Sequence, residues 1–219
     1  VDESGAGVAS ELEETHSVCP YCGVGCQLTY LTADDRIVAA RGRNGPANRN
    51  RLCIKGRFGL DYIHHKERLT RPLIRRDGVP KSAAADIDPA NFLAHFRAAS
   101  WDEALNLAAG GLADTRRESG ATSVAGFGSA KCSNEEAYLF QKLMRAGLGS
   151  NNVDHCTRLC HASSVAALLE GIGSGAVTAP FTAVEQSDVI IVIGSNPTEN
   201  HPVAATFFKQ AARRGATLI

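Results

Sequence analysis

Four cysteines set the strongest constraint on how this chain can fold. Cys19, Cys22 and Cys26 stand within eight residues, in C-P-Y-C-G-V-G-C, and Cys53 follows in L-C-I-K-G. Three thiols crowded into one polar, glycine-bearing loop have no core to join, which disfavours a role as inert buried side chains. Gly23 and Gly25 let the backbone fold around an object, because glycine takes conformations that a side chain forbids. A 4Fe–4S cluster needs four thiolates, and a tight loop can supply three of them. A structural zinc ion stays open as the other reading, although such sites more often use two separated cysteine pairs. With a cluster, the segment is an electron-transfer site.

The rest of the composition narrows the class. The 219 residues suffice for one large domain or two smaller ones. With 23 basic and 23 acidic residues the chain has no bulk attraction to nucleic acid or to an anionic membrane. The longest strongly apolar run, Val189 to Ile193, is far too short to span a bilayer, so no membrane insertion is expected. Seven cysteines is an odd number, which favours ligand thiols in a reducing, cytoplasmic setting over a paired secreted framework. Val1 to Ser17 is small, polar and acidic and does not read as a signal peptide. Position 1 is not Met, and Gly215 to Ile219 reads as a strand just beginning. Both lead to the expectation of a piece of a larger polypeptide.

Periodicity and turn signals divide the chain. Residues 1–16 are expected to be a flexible lead-in, 17–72 a small β-rich cluster domain, 73–100 a connection with an insertion, and 101–219 an α/β domain. Strands are predicted over Gln27 to Leu31 and Arg36 to Ala40, with a turn at Asp34-Asp35. A short helix is predicted near Phe58 to His65, and another near Asn91 to Ala98 within an inserted stretch that includes Ser82 to Ala85. Capping boxes at Ser100-Trp-Asp-Glu103 and Ser133-Asn-Glu-Glu136 open two helices. Cys160 to Leu169 has helical spacing. Asp188 to Ile193 is rich in β-branched residues and reads as a strand buried on both faces. It ends in Gly194-Ser-Asn-Pro197, and a helix is predicted over Pro202 to Arg213. Strand, glycine turn and helix in that order predict a doubly wound, Rossmann-like sheet, incomplete at its C-terminus, with ligands at the carboxyl ends of the strands.

A second cluster of reactive side chains lies in N-N-V-D-H-C-T-R-L-C-H, Asn151 to His161. A thiol at a helix N-terminus feels the positive end of the macrodipole and becomes a better ligand or nucleophile. Cys160 has that predicted placement, with His161 able to exchange protons beside it and Arg158 able to hold an anion. Cys156, four residues before Cys160, reads better as a small core residue. A Cys160–His161 nucleophilic dyad stays open, without an evident third group to orient the imidazole. Lys55 is either a solvated surface lysine or, two residues after Cys53, a cation beside the cluster.

Five motifs in order, C-P-Y-C-x3-C, C-x-K-G, W-D-E-A-L, N-N-V-D-x-C-x-R-x-C-H and G-x-N-P-x-x-x-H-P, give the chain a resemblance to the molybdenum/tungsten bis-pterin oxidoreductases, and among them the formate dehydrogenases. The resemblance runs from Val18 to Ile219. It implies that Cys19, Cys22, Cys26 and Cys53 ligate a 4Fe–4S cluster and that Lys55 bridges cluster and pterin. It implies that Cys160 ligates molybdenum or tungsten, carried by a bis-molybdopterin guanine dinucleotide, with His161 positioning substrate or carrying a proton. Gly194, Asn196, Glu199 and Asn200 fall in the segment that cradles one guanine dinucleotide; Glu199 and Asn200 depart from the Asp-Ser of some relatives. Arg158 then supports local structure rather than formate.

The implied reaction is oxidation of formate to CO2 with release of two electrons and a proton. The implied setting is a soluble NAD-linked complex with further iron–sulfur and flavin- or NAD-binding subunits. A second pterin lobe and a substrate arginine are expected beyond position 219, so these residues alone are expected to be inactive. Nitrate reductases are similar but tend to carry Met where His161 stands. A non-catalytic iron–sulfur subunit of the same lineage would have no reason to keep Cys160-His161 or Gly194-x-Asn-Pro197.

Overall fold

Strands β1 (Glu13–Val18), β2 (Gln27–Ala33) and β3 (Arg36–Gly42) form an antiparallel meander in that order. The β2–β3 turn is Asp34-Asp35, both at positive φ, as a two-residue hairpin of right-handed twist requires. The computed structural model describes residues 12–81 and 87–219. After the meander come α1 (Ile54–Phe58), a 3-10 turn over Asp61–His64, and β4 (Leu73–Arg75). A 3-10 segment over Pro89–Ala94 leads into β5 (Phe96–Ala98), which pairs antiparallel with β4. Then follow α2 (Trp101–Ser119), β6 (Gly126–Gly128), α3 (Asn134–Lys142), β7 (Val153–His155), α4 (Thr157–Cys160) and α5 (Ala162–Ile172). The chain closes with β8 (Val189–Ile190), α6 (Pro197–Asn200), α7 (Pro202–Arg213) and β9 (Thr217–Leu218). Among the described residues no helix is long and apolar enough to cross a membrane.

Two compact units emerge, one of Val1–Arg68 with Ala176–Ile219 and one of Leu69–Gly175. This division differs from the sequence-based one, which placed everything after residue 100 in a single domain. The reason is α7. Its Val203, Ala204 and Phe207 share a buried core with Val24 and Cys26 of the cysteine loop. Phe207 has no exposed surface. The sequence predicts α7 as a helix but does not say what its apolar side covers.

The architecture is mixed α/β with a β-rich N-terminal part. Each unit contains a parallel strand pair with a helical crossover, the repeating element of a doubly wound sheet. In the second unit β6 and β7 pair across α3; in the first, β8 and β9 pair across α6 and α7. Sheets among the described residues have at most three strands.

Several expectations need correction. Residues 13–16 of the expected lead-in belong to β1, paired with β2 through Glu13↔Thr32 to Val18↔Gln27. All six β1 residues are exposed, so an edge strand held by its backbone left no apolar period to read. Residues 1–11 lie outside the described residues. The helix expected near Asn91–Ala98 is instead a 3-10 turn followed by strand β5, and Ser82 to Ala85 lie outside the described residues. The strand expected to be buried on both faces is buried on one. Ile190 is buried, whereas Val189, Ile191 and Ile193 are exposed.

Both expected helix starts are present. Ser100 Oγ accepts the Glu103 N–H at 3.1 Å, and Ser133 with Glu136 forms a reciprocal capping box. At the first, the Glu103 carboxylate turns to Arg97 instead of closing the box.

Candidate functional site

The loop with three cysteines is the connection of the β1–β2 hairpin. Strand pairing runs to Val18↔Gln27, and the next pair is closed by Cys19 N–H donating to Cys26 O at 2.9 Å. Gly25 sits at φ +72°, a left-handed conformation that reverses the chain before Cys26. Gly23 is not at positive φ, and a Cβ there would meet nothing within 4 Å, so the glycine requirement falls on Gly25 alone.

Cys53 arrives from the other side as the N-cap residue of α1, with extended backbone. Cys19, Cys22, Cys26 and Cys53 together line one cavity of about 140 Å³. Lys55 and Gly56 from α1 and Glu199 and Asn200 from α6 line it too. Backbone crowds it at Gly56, where a Cβ would come within 3.3 Å of Cys19 Sγ.

The four sulfurs line one shared space. Burial, and then the adjacent Cys19, Cys22 and Cys53, push the Cys26 thiol up to about 12. Four thiolates in one half-buried space repel one another, so they need a compensating positive centre to ionise together. Among the described residues no group of three His, Cys, Asp or Glu side chains is placed to hold a metal ion. The cavity is several times the roughly 30 Å³ share of one water molecule, room for a polynuclear group rather than one ion. Four sulfur donors around such a space fit a 4Fe–4S cluster.

The pterin-directed residues divide. Glu199 and Asn200, at the end of α6, line the cysteine cavity with Lys55. Gly194 lies in the turn after β8 at φ +64°, and Asn196 is the N-cap residue of α6; both are exposed and neither lines that cavity. The Asn196 carbonyl accepts the N–H groups of Glu199 and Asn200 at 3.1 and 3.0 Å, which fixes α6 as a single turn. Sequence reasoning missed Tyr21, Leu52, Pro202 and Val203 as wall residues. Only their proximity to Cys22, Cys53 and Asn200 could have suggested them.

In the second unit, β7 ends at His155 and α4 carries Arg158 and Cys160. Cys160 is the last residue of α4, and His161 is the N-cap residue of α5. The thiol therefore precedes the α5 N-terminus rather than opening a helix as expected, because the chain breaks between two helices at His161 (φ −129°). Cys156, expected in a core, is exposed with its sulfur 3.9 Å from His155 Nδ1. Cys160 and His161 are exposed, and among the described residues neither side chain has a hydrogen-bond partner. Among the described residues no third group orients His161 for nucleophilic catalysis.

Arg158 is committed locally. Its Nε donates to Asp154 Oδ2 at 2.8 Å. That bond, with the His155 N–H, holds the Asp154 carboxyl below its usual range. Thr157 N–H donates to His155 Nδ1 at 3.1 Å, which places the imidazole proton on Nε2.

Two family models cover the chain between them. The molybdopterin oxidoreductase Fe4S4 domain matches residues 12–65, and the molybdopterin oxidoreductase domain matches residues 68–219. The chain belongs to the molybdopterin oxidoreductase family. The four-thiol cavity takes its hairpin loop and Cys53 from the Fe4S4 domain, and molybdopterin and a 4Fe–4S cluster are the family's cofactors.

Named relatives agree. A Bacillus subtilis protein named "Probable oxidoreductase YjgC" is 39% identical over 210 residues, 95% of this chain and 20% of that protein. The alpha subunit of F420-dependent formate dehydrogenase 2 from Methanococcus maripaludis is 37% identical over 211 residues, 96% of this chain and 28% of that subunit. The chain thus spans about a fifth to just over a quarter of these relatives' lengths. Acetylene hydratase from Pelobacter acetylenicus has the same fold, with a TM-score of 0.64 over 93% of this chain and 26% of its own, at 18% identity.

Proposed function

We propose that this chain is the N-terminal part of the catalytic subunit of a formate dehydrogenase, oxidising formate to CO2 and passing two electrons to its 4Fe–4S cluster. The observation that carries the electron-transfer half is the single cavity shared by Cys19, Cys22, Cys26, Cys53 and Lys55. The choice of formate is supported by the Cys160-His161 pair and by relatives named as formate dehydrogenase alpha subunits.

In this reading the four thiols hold the cluster as thiolates, so assembly releases their protons to solvent. Lys55 lines the same cavity, where its cation would offset the negative charge of a thiolate-ligated cluster and would face an anionic pterin. Glu199 and Asn200 would supply an acceptor and an amide from the same cavity wall, and Gly194 and Asn196 would shape a turn able to hold the guanine dinucleotide. Cys160 Sγ, exposed and without a partner, is available as a ligand to molybdenum or tungsten. His161, equally free, orients formate or takes the proton. A bis-pterin metal centre supplies the two-electron oxidation chemistry when bound. Arg158, bound to Asp154, keeps the Cys156–Cys160 turn in place.

The electrons pass on to NAD through partner subunits carrying iron–sulfur and flavin groups, in the cytoplasm. The odd number of cysteines, seven, supports a reducing compartment. F420 is the alternative acceptor, supported by the names of three relatives.

The test uses the natural-length protein purified without oxygen. Formate-dependent reduction of a viologen dye, lost in Cys160→Ala, is the expected result. Nitrate-dependent oxidation of the reduced dye with no response to formate would replace this reading with the nitrate reductase branch. Iron without molybdenum, tungsten or pterin would replace it with a non-catalytic electron carrier.

A further inference from the structure

Asn48 has no exposed surface, and its amide is used on two sides. Oδ1 accepts the Gln27 N–H at 3.1 Å. Nδ2 donates to Gln27 O and to Arg51 O, each at 2.9 Å. Gln27 directly follows Cys26, and Arg51 lies two residues before Cys53. One side chain therefore joins the hairpin arm that carries three of the thiols to the segment that delivers the fourth.

The loop around Asn48 is shaped to keep the amide there. A Cβ on the buried Gly45 would lie 2.7 Å from Asn48 Oδ1. Arg49 and Asn50 both hold positive φ, 45° and 65°, a conformation that Asn tolerates but that is uncommon for Arg. Arg49 is fixed by two hydrogen bonds to Glu185, at 2.7 and 2.8 Å. The carbonyl that receives the third Asn48 bond belongs to Arg51, whose own guanidinium is anchored over the buried Phe207 ring. No other residue type offers this shape together with all three hydrogen bonds. A carboxylate would face the Gln27 and Arg51 carbonyls without a donor, and an aliphatic side chain would leave Gln27 N–H unpaired.

We propose that Asn48 is a positioning residue for the four-thiol site: its amide fixes how Cys26 and Cys53 are presented to each other, and so sets the ligand geometry that a bound cluster experiences. Asn48 touches no reacting atom. It acts through the backbone of its neighbours, in the way that outer partners tune a metal site through its ligands. Cluster potential follows ligand geometry and the hydrogen bonds around the sulfurs, so the effect is readable there.

The inference rests on the four cysteines holding a cluster, and the experiment separates the two. The natural-length protein is prepared anaerobically as wild type, Asn48→Leu, Asn48→Asp and Leu31→Ala. Three properties of the cluster are measured: its midpoint potential, its electron paramagnetic resonance spectrum when reduced, and its rate of iron release to a chelator. Both Asn48 variants are expected to show a shifted potential, an altered spectrum and iron release at least about tenfold faster, the scale of losing one or two buried hydrogen bonds. Asn48→Asp keeps the size and the Gln27 acceptor, so it carries the test if Asn48→Leu fails to accumulate. Leu31, buried in β2, lies outside the core that packs against the cysteines. Leu31→Ala is expected to lower the melting temperature and leave the three cluster properties unchanged. Wild-type values in the accumulating Asn48 variants, or equal changes in Leu31→Ala, would overturn the proposal. A wild type without iron would overturn the cluster reading and this inference with it.

Discussion

The guanidinium of Arg51 lies 4.5 Å from the centroid of the Phe207 ring. Its two terminal nitrogens donate to Thr206 Oγ1 at 3.2 Å and Gln210 Oε1 at 3.3 Å on the same helix. Arg51 thus clamps the segment leading into Cys53 onto α7, whose Val203, Ala204 and Phe207 also share a core with Val24 and Cys26. Helix α7 is the floor on which both cysteine-bearing segments rest.

Removing that floor should be costly. Phe207→Ala is expected to destabilise the first unit by about 3–5 kcal/mol, the usual cost of emptying a buried aromatic site. Denaturant unfolding followed by circular dichroism checks this, and an unchanged midpoint would contradict the packing described.

Glycine substitutions should split in sign. A Cβ at Gly42 would lie 2.1 Å from Asn50 O, so Gly42→Ala must distort the loop, at a cost of about 1–3 kcal/mol or more. Gly111, within α2, has nothing within 4 Å of a new Cβ. Gly111→Ala should stabilise by about 0.5–1 kcal/mol. Paired melting curves of the two variants report both effects.

How much of this was legible in the sequence depended on whether the signal was local. The Asp34-Asp35 turn, the Ser133 capping box and the limits of α7 were readable because each is written in neighbouring residues. Grouping Cys53 with the hairpin cysteines was readable from their shared chemistry. Strand β1 was not, because an exposed edge strand carries no apolar alternation. The docking of α7 against Cys26 was not, because an apolar stripe does not name its partner. Asn48 sat unremarked in a loop rich in Gly, Asn and Arg, since only the fold brings Gln27 to it. The position of Cys160 differed by one short turn, because the break at His161 has no proline or glycine to announce it.

The Arg49–Glu185 pair should make the first unit sensitive to acid. The hydrogen-bonded Arg49 guanidinium holds the Glu185 carboxyl below its ordinary range. A depressed folded-state pKa means that this pair stabilises the protein fully above the unfolded carboxylate pKa. The stabilisation is lost as pH falls through the folded value. The wild-type melting temperature should therefore fall more steeply below about pH 4.5 than between pH 6 and 7, and that acid fall should be shallower in Glu185→Gln. Parallel pH slopes for the two proteins would contradict the assignment.

Each cluster ligand should be separately required. Cys19→Ser, Cys22→Ser, Cys26→Ser or Cys53→Ser is expected to lose most of the iron bound at this site, because an alkoxide is a poor replacement for a thiolate. Cys132→Ser, whose thiol is exposed in the second unit, should retain it. Iron analysis with the absorption and paramagnetic resonance of the site distinguishes them.

The most direct measurement is the reduction of the cluster by formate itself. In the anaerobic natural-length protein, formate should produce the paramagnetic resonance signal of the reduced 4Fe–4S centre. Cys160→Ala should give that signal with dithionite but not with formate. A cluster that formate reduces equally well without the Cys160 thiol would contradict the account.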